Sequence, residues 1–103
     1  MTEITAVRGA LRAPTHPGVV LAEAIAAIGR PKVEIAKLLG LSRQSLYDII
    51  DGKQPVTATT AVRLGKLFGN GPTLWINMQA AHDLWKARLA VDLSKIPTLE
   101  PAA

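Results

Sequence analysis

A chain of 103 residues carrying a formal net charge of +4 is long enough for one helical core and too short for a second independent one. It contains no cysteine, which excludes disulfides and thiolate metal sites and favours an intracellular setting. Its apolar runs fall far short of a bilayer span, and Glu3, Arg8 and Arg12 are dispersed rather than grouped as in a signal peptide, so a soluble, cytoplasmic chain is expected.

Taken in chain order, the first fifteen residues offer Ile4, Val7 and Leu11 at the spacing of a short amphipathic turn or strand, set apart by Pro14 and Pro17. Residues 1–15 are therefore read as an N-terminal extension, 16–90 as the domain and 91–103 as a tail. After the turn Thr15-His16-Pro17-Gly18, the residues Val20, Leu21, Ala24, Ile25 and Ile28 recur on one face and stop at Gly29, which predicts a first helix over 18–28. Pro31 suits the first turn of a second helix, whose Ile35, Ala36, Leu38 and Leu39 would face inward before Gly40 ends it. A third helix is expected from Ser42 to about Ile50, closed by Asp51-Gly52. Thr57 would cap a fourth, with Ala61, Leu64, Leu67 and Phe68 inward. Asn70-Gly71-Pro72 breaks the chain before a fifth helix, over about 72–89, with Leu74, Met78, Ala81, Trp85 and Leu89 on one stripe and Trp75 beside it. Two tryptophans in one helix predict a large buried contact, either in a small core or in a dimer interface. From Val91 the pattern fades, and Pro97 and Pro101 argue for an extended or disordered tail.

The span from Lys32 to Asp51 is the most informative. Ala36 is small where a second helix would press, Gly40 follows where a tight turn needs positive φ, and Leu46 and Ile49 restore apolar groups at helical spacing. That is the pattern of a helix-turn-helix. Its second helix would open on a Ser42 cap and present polar side chains to a major groove. Leu46, Ile49 and Ile50 supply the anchored underside, leaving Arg43, Gln44, Tyr47 and Asp48 at the groove or its rim. Arg43 suits a guanine edge and Gln44 an adenine edge, with a phosphate contact open to either, and a single well-made bidentate pair discriminates by about 1 to 3 kcal/mol. Arg30, Lys32, Lys53 and Thr57 flank the unit where phosphate contacts belong.

Charge placement agrees with this reading. Between residues 30 and 66 stand seven basic side chains against three acidic ones, while the flanking stretches are balanced, so all the excess positive charge lies in and beside the proposed reading unit. Catalysis is not expected. His16 reads as a hydrogen-bonded structural imidazole, and His82 and Asp83, adjacent on a helix, would point in different directions. No zinc spacing, phosphate-cradling loop or nucleophile elbow occurs, so neither a cofactor nor a metal is anticipated.

With these motifs assembled, the chain resembles HigA-type antitoxins, a branch of the Xre/Cro-like, lambda-repressor-like helix-turn-helix superfamily. The likeness runs from His16 to Arg88: HPG before the first helix, EIAKLLGLSRQSLYDIIDGK through the reading unit, VT opening the fourth helix and LWINMQAAHDLWKAR in the fifth. The resemblance implies an all-α, five-helix DNA-binding domain that dimerises, binds a palindromic operator on double-stranded DNA, represses its own operon and neutralises a HigB/RelE-like ribonuclease toxin. It places the base-reading region on Ser42, Arg43, Gln44, Ser45 and Tyr47, and the homodimer contact on the fifth helix and tail. Pro31 and Gly71 depart from the family, in which a serine commonly caps the second and fifth helices. No motif marks a toxin-binding surface; the N-terminal segment and first helix are favoured. Two alternatives stay open: a stand-alone Xre-family repressor without a toxin, and a toxin-neutralising interaction module with little DNA binding of its own.

Overall fold

Prolines, hydroxyls and one imidazole set the helix starts. The structure, a computed structural model, describes residues 13–102. It contains α1 (Pro17–Ile28), α2 (Lys32–Leu39), α3 (Arg43–Ile50), α4 (Ala58–Phe68) and α5 (Pro72–Ala90), with no strand among the described residues. Ser42 Oγ accepts the Ser45 amide at 3.0 Å and Thr57 Oγ1 accepts that of Thr60 at 3.3 Å, so two otherwise orphaned helix-start donors are satisfied. His16 does the same for α1, its Nδ1 accepting the Gly18 amide at 2.9 Å. Pro31 stands just before α2 rather than within its first turn; having no hydroxyl to offer, it contributes only its carbonyl, which accepts from Glu34 and Ile35 at 3.0 and 3.1 Å. Ile4, Val7 and Leu11 lie outside the described residues.

The core draws on every helix and on the α3–α4 connector. Leu21 and Ile25 from α1, Ile35, Ala36 and Leu39 from α2, Leu46 and Ile49 from α3, Val56, Ala61 and Leu64, and Trp75 from α5 form one buried cluster. Two glycines permit its closest approaches. A Cβ on Gly18 would collide with the Ile49 and Ile50 carbonyls, and one on Gly65 with the backbone of Gly71 and Pro72. The first seats the start of α1 on the end of α3; the second closes the corner between α4 and α5.

Three expectations about facing need correction. Leu38 and Ile28 are exposed, because α1 and α2 are short and bury only a narrow stripe each. On α5 the inward face is turned from the one expected. Trp75 and Gln79 are buried and Met78 packs on the core, whereas Leu74 and Leu89 are exposed, as is Ala81. One residue of offset turns a helix face by about 100°. The tight corner at Gly65 decides this by bringing Trp75 against Phe68, with ring centroids 5.9 Å apart, and its indole N–H to Asn70 Oδ1 at 2.9 Å. Trp75 therefore belongs to the core, while Trp85 is half-buried. Beyond Ala90 the chain is extended, with one turn in which Ile96 N–H donates to the Leu93 carbonyl. No described helix is long and apolar enough to cross a membrane.

Candidate nucleic-acid interface

Helix α3 is held from beneath and free above. Leu46 and Ile49 are fully buried and Ile50 half-buried, so the opposite arc carries Arg43 and Gln44 in the open and Tyr47 and Asp48 half-covered. Burying two aliphatic side chains stabilises that orientation by about 1.5 to 3 kcal/mol each, enough to fix which face of an eight-residue helix points outward. Arg43 makes no hydrogen bond or ion pair among the described residues, leaving its guanidinium fork free. Gln44 is tied down: its Nε2 donates to Asp48 Oδ1 at 2.8 Å, one turn along the helix. Ser42 is spent on the cap, and Ser45, whose amide fills that cap, is half-buried at the leading edge.

The flanking residues behave differently from one another. Lys32, at the start of α2, lies 5.6 Å from the centre of the Tyr47 ring, a cation–π contact that draws a positive charge to the outward arc of α3. Arg30 is not brought to α3; it pairs with Glu34 at 3.2 Å, both exposed. Lys53 is exposed in the α3–α4 connector. Its amide and that of Gln54 both donate to the Asp48 carbonyl, at 2.8 and 3.1 Å, which pins the last turn of α3 to the connector. Thr57 is exposed at the start of α4, its hydroxyl engaged with Thr60. Capped helix starts at α3 and α4, with Arg43 and Lys53 in no ion pair among the described residues, make a surface suited to phosphate and base edges.

Residues beyond the sequence pattern hold this unit together. Arg63 reaches from α4 to the turn between α2 and α3, donating through Nη1 to the Leu39 and Gly40 carbonyls at 2.8 and 3.0 Å. Gln79, buried on α5, accepts the Val56 amide at 2.7 Å and donates to Asp83 at 2.9 Å, fixing the connector that follows α3. Neither role is visible in a linear sequence, since the Leu39 and Gly40 carbonyls and the Val56 amide lie more than twenty residues away and backbone groups carry no residue-type signal.

His16, His82 and Asp83 converge more than their spacing suggested. All three line a polar cavity of about 280 Å³ together with Lys53, Gln79 and Lys86, so adjacency on α5 does not keep His82 and Asp83 apart. A cavity that wide is reached from neighbouring helical positions. The imidazoles meet edge to face with centroids 5.0 Å apart, and His82 Nδ1 donates to the Pro14 carbonyl at 2.9 Å. Burial first, and then His82, hold the His16 pKa below its ordinary value, with Asp83 opposing and Lys86 reinforcing the shift. His16 and His82 thus serve as struts between the chain before α1 and α5. No cluster able to hold a metal occurs among the described residues.

Comparison with known proteins agrees with this geometry. The family described as helix-turn-helix (HTH_3) matches residues 21–76, from α1 into α5. Virulence-associated protein A' of Dichelobacter nodosus is 36% identical over 75 residues, 72% of this chain and 65% of that protein, so the chain spans just under two thirds of that relative's length. Antitoxin HigA-1 of Vibrio cholerae is 33% identical over 75% of this chain and 73% of its own. Among solved structures, an addiction module antidote protein of the HigA family from Coxiella burnetii superposes with a TM-score of 0.77 at 33% identity, covering 86% of this chain and all of that one. Antitoxin HigA of Pseudomonas aeruginosa, solved with the higBA promoter, superposes at 0.71 with 29% identity over 75% of this chain and 85% of its own. Helix order, the buried underside of α3 and these likenesses together place the chain in the Xre-like helix-turn-helix family, among DNA-binding regulators and HigA-type antitoxins.

Proposed function

We propose that this chain is the antitoxin of a type II toxin–antitoxin module: a cytoplasmic homodimer that binds a palindromic operator, represses its own operon and neutralises a HigB/RelE-like ribonuclease toxin, acting by binding rather than by catalysis. The observation that carries the DNA-binding part is α3, capped by Ser42 and anchored by fully buried Leu46 and Ile49, with Arg43 and Gln44 exposed on the opposite arc. Arg43 and Gln44 read base edges, Tyr47 contacts a thymine methyl or a phosphate, and Ser42 and Ser45 offer the α3 amino end to the backbone. Lys32, Lys53 and Thr57 add phosphate contacts, with Arg30 a weaker contributor because Glu34 already offsets its charge.

Dimerisation is supported by large apolar side chains that stand exposed among the described residues: Leu84 and Leu89 on α5, then Val91, Leu93, Ile96 and Leu99. A two-fold pair of α3 helices would meet half-sites roughly 34 to 36 Å apart. Footprinting of the DNA upstream of the gene tests this, with an inverted repeat protected at one-turn spacing as the expected result and a lone half-site as the result against it. Co-purification with the product of the adjoining reading frame, and relief of that product's ribonuclease activity, tests the antitoxin role separately.

A further inference from the structure

A carboxylate on the outward arc of α3 repels the phosphates that the helix must approach, so Asp48 calls for a reason. Gln44 supplies one. A carboxylate only accepts hydrogen bonds, so the 2.8 Å contact from Gln44 Nε2 to Asp48 Oδ1 dictates which way the amide is turned: nitrogen toward Asp48, oxygen away from it. Left alone, an exposed glutamine with three rotatable bonds presents its amide in either sense. Asp48 is itself well placed to choose. Its carbonyl is clamped by the amides of Lys53 and Gln54 at 2.8 and 3.1 Å, and its neighbour Ile49 is fully buried, so the carboxylate projects from a fixed backbone position.

We infer that Asp48 is a positioning residue for base readout, holding the Gln44 amide so that its free oxygen and remaining N–H present an acceptor and a donor side by side; this rests on the base-reading role proposed for Gln44. In the major groove adenine offers the complement, an N6–H donor beside the N7 acceptor, whereas guanine offers two acceptors, O6 and N7. The held amide therefore matches adenine and sets its oxygen against guanine O6. A reversed amide, with the nitrogen outward, would accept guanine. Asp48 thereby sets selectivity without touching a base.

The test compares full-length wild type, Asp48→Asn and Gln44→Ala in selection from a random duplex library, followed by competition between duplexes that differ only by adenine or guanine at the enriched position. Asparagine keeps the shape of aspartate but can accept or donate, so it no longer dictates how Gln44 is turned. Wild type is expected to enrich an adenine that Gln44→Ala loses. Asp48→Asn should lower the adenine-over-guanine preference there by at least about fivefold, with total DNA affinity equal or higher and the melting temperature unchanged. Retention of the full preference by Asp48→Asn, while Gln44→Ala loses it, would overturn the positioning role alone. If neither variant alters any base preference, the base-reading role of Gln44 fails and the inference with it.

Discussion

Arg63 and Gly40 illustrate how much of the reading unit hangs on single residues outside it. Gly40 has φ of +69°, a region that costs an L-residue side chain roughly 1 to 2 kcal/mol, and an added Cβ would meet the Arg63 guanidinium that binds the Leu39 and Gly40 carbonyls. Arg63→Ala should cost about 1 to 2 kcal/mol, the range for partly exposed charge-assisted hydrogen bonds. Gly40→Ala should cost more in the wild type than in the Arg63→Ala background, where only backbone strain remains. Urea unfolding of the four-member cycle measures the difference, and simple additivity would mean that the guanidinium moves aside freely. Acid acts at His16. Its Nδ1 must be unprotonated to accept the Gly18 amide, and its pKa in the folded chain is lowered, by burial and then by His82. Folding thus favours the neutral ring. The cap's contribution is complete above about pH 6.5, the ordinary value of an unfolded histidine, and declines as pH falls through the lowered folded value. His16→Asn, which can cap without titrating, should flatten the fall in melting temperature between pH 7 and 5.

Among the elements, α3 was legible and α5 was not, for a physical reason. The residues that anchor α3 are aliphatic on one face and polar on the other, so its periodicity states its orientation, and Leu46 and Ile49 are buried as that periodicity requires. Helix α5 is apolar nearly all round, with Leu74, Trp75, Ile76, Met78, Leu84, Trp85 and Leu89 spread about its axis, and periodicity then selects no face. What selects it is the backbone contact at Gly65 and the Asn70 bond to the Trp75 indole, both set by the α4–α5 corner and neither expressed in the helix's own period. Replacing Trp75 by alanine should therefore cost about 3 to 5 kcal/mol, while Leu74→Ser, on the stripe first expected to be buried, should stay within about 0.5 kcal/mol. Chemical denaturation of the two variants distinguishes the faces; the reverse ranking would restore the expected stripe. Gln79 is equally unreadable from pattern, being a polar residue at a core position. Gln79→Leu should cost about 1 to 3 kcal/mol by leaving the buried Val56 amide without an acceptor, and should weaken DNA binding further by freeing the connector that carries Lys53.

For the whole molecule, the same apolar excess on α5 and the tail becomes informative once the core is known. Leu89 is 71% exposed and Leu99 84%, and with Leu93 and Ile96 they extend the uncovered face past the end of the helix. Scattered exposed leucines are ordinary; a run of them continuing from a helix into an extended segment is the kind of surface that a second copy covers. Because none of these side chains belongs to the buried cluster, removing their apolarity separates association from folding. The double variant Leu89→Asp, Leu93→Asp is expected to keep its helix content and melt within a few degrees of the wild type measured when monomeric. In sedimentation it should run as a monomer at concentrations where the wild type is expected to form the proposed dimer. Loss of the partner removes one of two DNA contacts held at fixed spacing, so operator affinity should fall by two or more orders of magnitude, in line with the gain from linking two binding units, while affinity for a single half-site stays unchanged. A variant that remains dimeric would move the two-fold contact to another face, such as the apolar groove bounded by Leu38, Val62 and Leu67. One that turns monomeric yet protects the full inverted repeat at wild-type concentration would show that each subunit grips its half-site unaided.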